Sequence, residues 1–224
     1  MSEPRIVSRR QRGQVVAALA ADQVVAVPGS GGYCLAARLD SVPALLALTS
    51  ALDPAPAAGR HVMVGRRCEA QALAADWSAT TEQLAESVWP GSVMIEVAAG
   101  WGDGLFGGDG DEGVLRLTMP GWRPLRGICR HSGPLAAVQP RRDGVPCTTA
   151  EEMRAQFAPS GLALVLDAGT SQGPGPTVVD CRVSPPVVRQ VGELPEAYVE
   201  AVLFMAAGRR RRWGFFTSGR SAPS

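Results

Sequence analysis

Arginine is the residue through which this chain can do chemistry. The sequence holds 22 Lys+Arg, and every one is an arginine. No lysine occurs, which excludes a Schiff-base lysine, the lysine of a Walker-type phosphate loop and a lysine general base. What remains is the guanidinium, a planar fork that suits phosphate and carboxylate. Arg141 and Arg142 follow the run GPLAAVQ and Pro140. They therefore stand just past an expected strand end, where open α/β sheets place ligands. Arg209, Arg210, Arg211 and Arg212 run directly into Trp213, with Phe215 and Phe216 beyond. Cations interleaved with aromatics suit RNA stacking or an anionic membrane surface.

The other chemistry-bearing residues read more plainly. GSGGY (29–33) follows an expected strand, and its glycines can let backbone N–H groups approach a phosphate. Its spacing fits neither the dinucleotide fingerprint nor a phosphate loop, so it reads as a tight loop. His61 opens an expected strand. His131 sits beside Ser132, but nothing supplies the rest of a hydrolase triad or its oxyanion elbow. Asp76, Glu82, Glu86 and Glu96 read as solvated helix-surface acids. The acidic loop Asp103, Asp109, Asp111 and Glu112 lacks calcium-loop spacing. Five cysteines, at 34, 68, 129, 147 and 181, are odd in number and not closely paired. They argue against both a disulfide framework and zinc, and no metal site is expected.

The elements that must position these residues follow from composition and periodicity. Apolar residues at 46% and charged residues at 19% over 224 residues describe a globular chain with an ample core. The net charge of +1 hides an acidic body between two basic ends: residues 1–12 carry four arginines against one glutamate, and residues 201–224 carry five with no acid. No run reaches the length of a membrane span and no leader pattern opens the chain, so a cytoplasmic protein is expected. Helices are predicted at 9–22, from Ser41 to about Leu52, at 68–76, at 80–88 capped by Thr80 or Thr81, at 122–130, from a Thr148–Glu151 or Thr149–Glu152 capping box to about Phe157, and from Pro195 to about 207. Strands are predicted at 24–28, HVMVG, SVMIEV, VLRLTMP, GPLAAVQ, LALVLD, PTVVDC and PVVRQV. Their irregular interleaving gives an α/β (α+β) domain with a mixed sheet.

The order of these pieces resembles the YrdC/YciO family, the threonylcarbamoyl-AMP synthases. VVAVPGSGGYCLAAR, with Pro28, Tyr33 and Leu35, is similar to the family's strand, loop and tyrosine. Trp89-Pro90-Gly91, LRLTMP with Arg116 and Pro120, GPLA (133–136), TTAEE (148–152), TVVD (177–180) and Val188-Arg189 are similar to its later segments in the same order. The resemblance spans about 12–194. It implies a single open, twisted sheet with helices and a positively charged concave face. It divides the chain into a basic arm (1–11), the YrdC-like domain (12–194), a C-terminal helix (195–208) and a disordered basic, aromatic tail (209–224). It also implies a reaction in which threonine, bicarbonate and ATP, with Mg, give threonylcarbamoyl-AMP for tRNA modification.

The departures fall on the ligand groups. The family's Thr-Asp-Thr loop is Gly29, Ser30 and Gly31 here, and its Lys and Arg fall on Asp53 and Ala55 beside Pro56. Its Ser-Ala-Asn falls on Gln139, Pro140 and Arg141, while Met94 and Pro176 replace a Thr and a Ser. A missing cation or oxyanion donor typically costs about 2–4 kcal/mol in the transition state. The leading expectation is therefore a retained fold with a lost or altered catalytic site, binding a nucleotide (ATP or AMP), tRNA or double-stranded RNA. Tyr33, Arg116, Arg141, Arg142 and Arg189 are the expected nucleotide or anion contacts. Arg209, Arg210, Arg211, Arg212 and Trp213 are the expected RNA or membrane contacts. One alternative is an active synthase that uses Arg60, Arg66 or Arg67 in place of the lysine. The other is an RNA-, membrane- or protein-interaction module acting through the tail.

Overall fold

The structure, a computed structural model, describes residues 3–52, 59–100, 113–142 and 144–214, with the backbone alone for Arg142 and 206–214. Asp53, Ala55, Pro56, the acidic loop at 103–112 and the aromatics Phe215 and Phe216 lie outside the described residues. In chain order the elements are β1 (Arg5–Ser8), α1 (Arg12–Ala20), β2 (Val25–Gly29), β3 (Gly32–Arg38), α2 (Val42–Ala51), β4 (His61–Met63), α3 (Arg67–Leu73), α4 (Ala79–Val88), β5 (Val93–Ala98) and β6 (Val114–Thr118). There follow α5 (Arg123–Ser132), β7 (Leu135–Val138), β8 (Arg141–Arg142), β9 (Val145–Pro146), α6 (Ala150–Phe157), β10 (Leu164–Asp167), β11 (Thr177–Asp180), β12 (Val187–Gln190) and α7 (Glu196–Gly214).

Ten strands form one mixed sheet in the order β1-β10-β2-β3-β7-β4-β6-β5-β11-β12, and β8 and β9 form a separate ribbon. Because strand side chains alternate between faces, each strand contributes to two surfaces. One face is closed along its length: Ala26, Leu35, Val62, Ile95, Leu117 and Val179 pack under α2, α3, α4, α6 and α7. On the other face, Val25, Val27, Ala36 and Leu135 pack under α1 and α5. The two helices cover only the first part of that face. Over β4, β6, β5 and β11 it lies open as a concave surface.

Local signals explain the helix starts. The Ser41 hydroxyl accepts from Ala44 N–H at 3.3 Å, and Pro43 occupies the first turn of α2. Thr149 caps α6 as expected: its hydroxyl accepts from Glu152 N–H, and the Glu152 carboxylate accepts from the Thr148 and Thr149 N–H groups. These donors pull the Glu152 carboxyl below its ordinary range. The cap of α4 is Ser78, which accepts from Thr81 N–H at 3.0 Å, rather than Thr80 or Thr81.

Four expectations change. Residues 5–8 of the basic arm form an edge strand paired in parallel with β10. Residues 9–22 split into a short 3-10 turn (Arg9–Gln11) and α1. GSGGY is the tip of a β2–β3 hairpin, with Gly29 opposite Gly32 and left-handed backbone at Gly31 (φ +78°), not a strand-to-helix loop. Finally, α7 continues through Arg209–Arg212 to Gly214 instead of ending near 208. Arginine is a strong helix former and cations suit a helix C-terminus. The single glycine at 208 costs only about 1 kcal/mol.

Candidate functional site

The open part of the sheet floors a cleft of about 1360 Å³. Its floor follows from strand alternation. On β4, β5 and β6 the side chains facing away from the closed core are His61 and Met63, Met94 and Glu96, Arg116 and Thr118. Its rim is made by the hairpin tip Gly29–Gly31, the loop 168–176 after β10, the turn Gly91-Ser92 and Pro120–Trp122. Arg141 stands at the mouth on the β8–β9 ribbon.

A charge ladder crosses the floor. The register pairs Arg116 with Glu96 and Glu96 with Asp180. Arg116 Nε donates to Glu96 Oε1 at 2.8 Å, and Arg182 Nη2 lies 3.9 Å from Glu96 Oε2. Arg182 forks onto Asp180, with Nε on Oδ1 at 2.9 Å and Nη2 on Oδ2 at 2.9 Å. Arg189 approaches from β12, with Nη2 on Asp180 Oδ2 at 2.7 Å. Glu96 and Asp180 are both buried. Arg182, and then Arg189, hold the Asp180 carboxyl far below the ordinary carboxylate range against the opposing effect of burial. Three guanidiniums against two carboxylates leave the ladder with one positive charge over.

His61 adds a neutral group beside the ladder. Burial lowers its pKa, and the nearby Arg116 charge lowers it further. Its Nδ1 lies 2.8 Å from the Gly59 carbonyl. That bond requires Nδ1–H, so the neutral ring keeps a lone pair on Nε2 as an acceptor.

The expected contacts divide on this geometry. Arg116, Arg141 and Arg189 line one cleft. Arg141 is exposed, and its Nη1 donates only to the Gly144 carbonyl among the described residues, at 3.1 Å. Arg142 is its strand neighbour. Tyr33 does not line the cleft. It is fully buried; its O–H donates to Gly169 O at 2.8 Å and its oxygen accepts from Ala168 N–H at 3.0 Å. It fastens β3 to the rim loop, and burial raises its pKa. Glu96 is not a solvated helix acid but a buried strand acid. Arg66 pairs with Glu69 at 3.0 Å, Arg67 with Glu86 at 3.2 Å, and neither lines the cleft. Arg209–Arg212 and Trp213 lie on α7.

The sequence reading missed His61 and Glu96 as floor groups, and Asp180 as the buried acid that holds Arg182 and Arg189. The signal available was period two: on β5 and β6, Glu96 and Arg116 interrupt apolar runs at the positions facing away from the core.

For a metal such as Mg, the described residues offer little. No cluster of three or more His, Cys, Asp or Glu occurs among them. Glu96 and Asp180 are held by arginines. These residues do not fit a protein-held Mg site among the described residues.

Comparison with known proteins gives a consistent picture. The family model for Sua5, YciO and YrdC proteins, described as telomere recombination, matches residues 17–191. No curated protein matches the chain. Sua5 of P. abyssi, solved in complex with L-threonine, superposes with a TM-score of 0.72 at 20% identity, covering 90% of this chain and 61% of that one. E. coli YciO superposes with a TM-score of 0.73 at 16% identity, covering 87% of this chain and 98% of that one. Full-length HypF in a phosphate- and nucleotide-bound form gives 0.63 at 16% identity over 81% of this chain and 29% of that one. The chain therefore spans about three-fifths of the Sua5 length. Among the described residues, no helix is long and apolar enough to cross a membrane.

Proposed function

The chain belongs to the Sua5/YciO/YrdC family, and from that premise we propose that its cleft binds a nucleotide-like anion while its adenylate-forming site is lost or altered. One observation carries this reading. The floor arginines Arg116 and Arg189 are each held by a buried carboxylate, while Arg141 at the mouth meets none among the described residues. Such a floor keeps a positive field but has no cation set aside for a transferring group. A phosphate entering at Arg141 gains a guanidinium fork without first breaking an ion pair to any described residue.

The departures support the same reading. Met94 lines the floor where the resemblance implies a threonine hydroxyl. The Gln139 amide donates to Ser30 O at 3.3 Å, so it holds the hairpin tip. Pro176 has no N–H to offer a ligand. The active-synthase alternative loses Arg66 and Arg67, which serve acids on the helical surface, and keeps only Arg60, which lies between the cleft-lining Gly59 and His61. The cleft exceeds the ~300–1,000 Å³ of ordinary ligand pockets, leaving room for a nucleotide with a second small ligand. L-threonine bound to P. abyssi Sua5 and nucleotide and phosphate bound to HypF are ligands of that scale.

The test is calorimetric titration with ATP and AMP, beside an assay of threonine-dependent pyrophosphate release. Nucleotide binding weakened about tenfold by Arg141→Ala, with no pyrophosphate release, is the expected outcome. Turnover near ~1 s⁻¹ or more would sink the altered-site reading. Absence of any nucleotide binding, with or without threonine, would sink the ligand reading.

A further inference from the structure

Helix α7 carries a surface that the cleft does not use. Its inner face is tied to the body: Val199 and Val202 are buried in the main core, and the helix packs against α4. Beyond the exposed Glu200, its outer face is apolar. Phe204 is 81% exposed, Met205 55% and Tyr198 50%. From Ala201 to Gly208 the sequence has no charge, and then four arginines follow in succession. With about 3.6 residues per turn, helix positions 201, 204, 205, 208, 211 and 212 share the side opposite Val199 and Val202. The apolar patch and part of the basic run thus lie in one line along one face.

A favourable interaction with the helix dipole explains one or two cations at the C-terminus. It does not explain four in a row, nor a phenylalanine and a methionine left in solvent a turn before them. RNA would account for the cations and for aromatic stacking, but an open helix face with an aliphatic thioether is no stacking groove. A surface that is both apolar at shallow depth and anionic above it satisfies every group: Phe204 and Met205 enter the boundary between headgroups and acyl chains while the arginines meet phosphates.

We propose that the outer face of α7 docks this protein onto an anionic lipid surface, lying on it with Phe204 and Met205 inserted and Arg209–Arg212 on the headgroups. The helix lies on the bilayer rather than spanning it, because it is not apolar enough to cross. Each arginine near an anionic leaflet contributes about fivefold to partitioning. The contribution falls as salt screens it.

Co-sedimentation of the full chain with phosphatidylcholine–phosphatidylserine vesicles tests this, with phosphatidylcholine-only vesicles as the control. Two variants separate the components: Phe204→Glu with Met205→Glu, and Arg209→Ser through Arg212→Ser. Phe204 and Met205 are exposed, and circular dichroism checks that each variant is folded. The expected result is binding to the anionic vesicles alone, reduced at least about tenfold by the apolar variant and on the order of several hundredfold by the arginine variant. Binding that survives either variant, or no vesicle binding by the parent chain, overturns the proposal. So does tighter binding to a short RNA than to the vesicles. A dimer in light scattering that Phe204→Glu dissolves would make a second copy the occupant and would equally overturn it.

Discussion

Under α1 and α5, the strand residues facing the helices are Val25, Val27, Cys34, Ala36, Leu135 and Ala137. On the same side of the same sheet, past β7, the facing residues become His61, Met94, Glu96, Arg116 and Thr118. The backbone alternation does not change between the two regions; only the residues at the facing positions do. In the first region the apolar positions recruit helices and are sealed from water. In the second, each polar side chain forbids a helix lid, because covering it would strand a charge. The cleft is thus maintained by the floor itself. The acids that neutralise most of the arginine charge also limit self-repulsion among the guanidiniums of Arg116, Arg182 and Arg189.

If the covered region serves only stability, Ile128→Ala should cost about 3–4 kcal/mol in urea unfolding, because Ile128 is fully buried on the inner face of α5, against the sheet. Nucleotide affinity of the folded variant should be unchanged; a parallel loss of affinity would break the division between the regions. Asp180→Asn, in the open region, should cost less, about 2 kcal/mol, since the amide still accepts one hydrogen bond. Its pH signature sharpens the comparison. The unfolded chain protonates Asp180 near pH ~4, while Arg182 and Arg189 keep the folded carboxyl ionised well below that. The stabilisation is therefore complete above about pH 4 and is lost as pH falls further. Urea midpoints of the parent and the variant should differ at pH 7 and converge in acid. The smallest effect belongs to an ion pair outside both regions. Arg67 meets Glu82 and Glu86 on an exposed helix surface. Arg67→Ala should cost under about 1 kcal/mol, and high salt should erase most of that difference in the same urea titration.

What the sequence made legible was local. Eight apolar runs were found as strands because β-branched and aliphatic residues cluster between turn signals, and the Thr149–Glu152 box announced α6 through a spacing of three. The β2–β3 hairpin escaped because GSGGY reads as a loop and YCLAAR, buried on both faces, lacks alternation. β1 escaped because four residues of an arginine-rich segment carry little pattern of their own and are ordered by pairing with β10, far along the chain. Within the site, the places of Arg116, Arg141 and Arg189 on strands or strand ends were legible. Their partners were not, because Glu96 and Arg116 meet across a hairpin, Asp180 and Glu96 across a parallel pairing, and neither distance is visible along the chain. Tyr33 was assigned to the wrong side: its phenol answers to Ala168 and Gly169, 135 and 136 residues away.

The rim of the cleft bears on how such a protein could acquire a new ligand. A methyl group added at Gly31 would lie 2.9 Å from the backbone of Gly175, and one added at Gly192 would lie 2.4 Å from the Gly175 and Pro176 backbone. Here two loops meet main chain to main chain, with no space for a side chain of any kind. Substitution cannot reshape that seam without parting it. Adaptive change in what the cleft accepts is therefore channelled to the strand positions beneath and to the β8–β9 ribbon, where Arg141 already stands. The seam acts as a fixed frame, and the floor as the part of the molecule free to be rewritten.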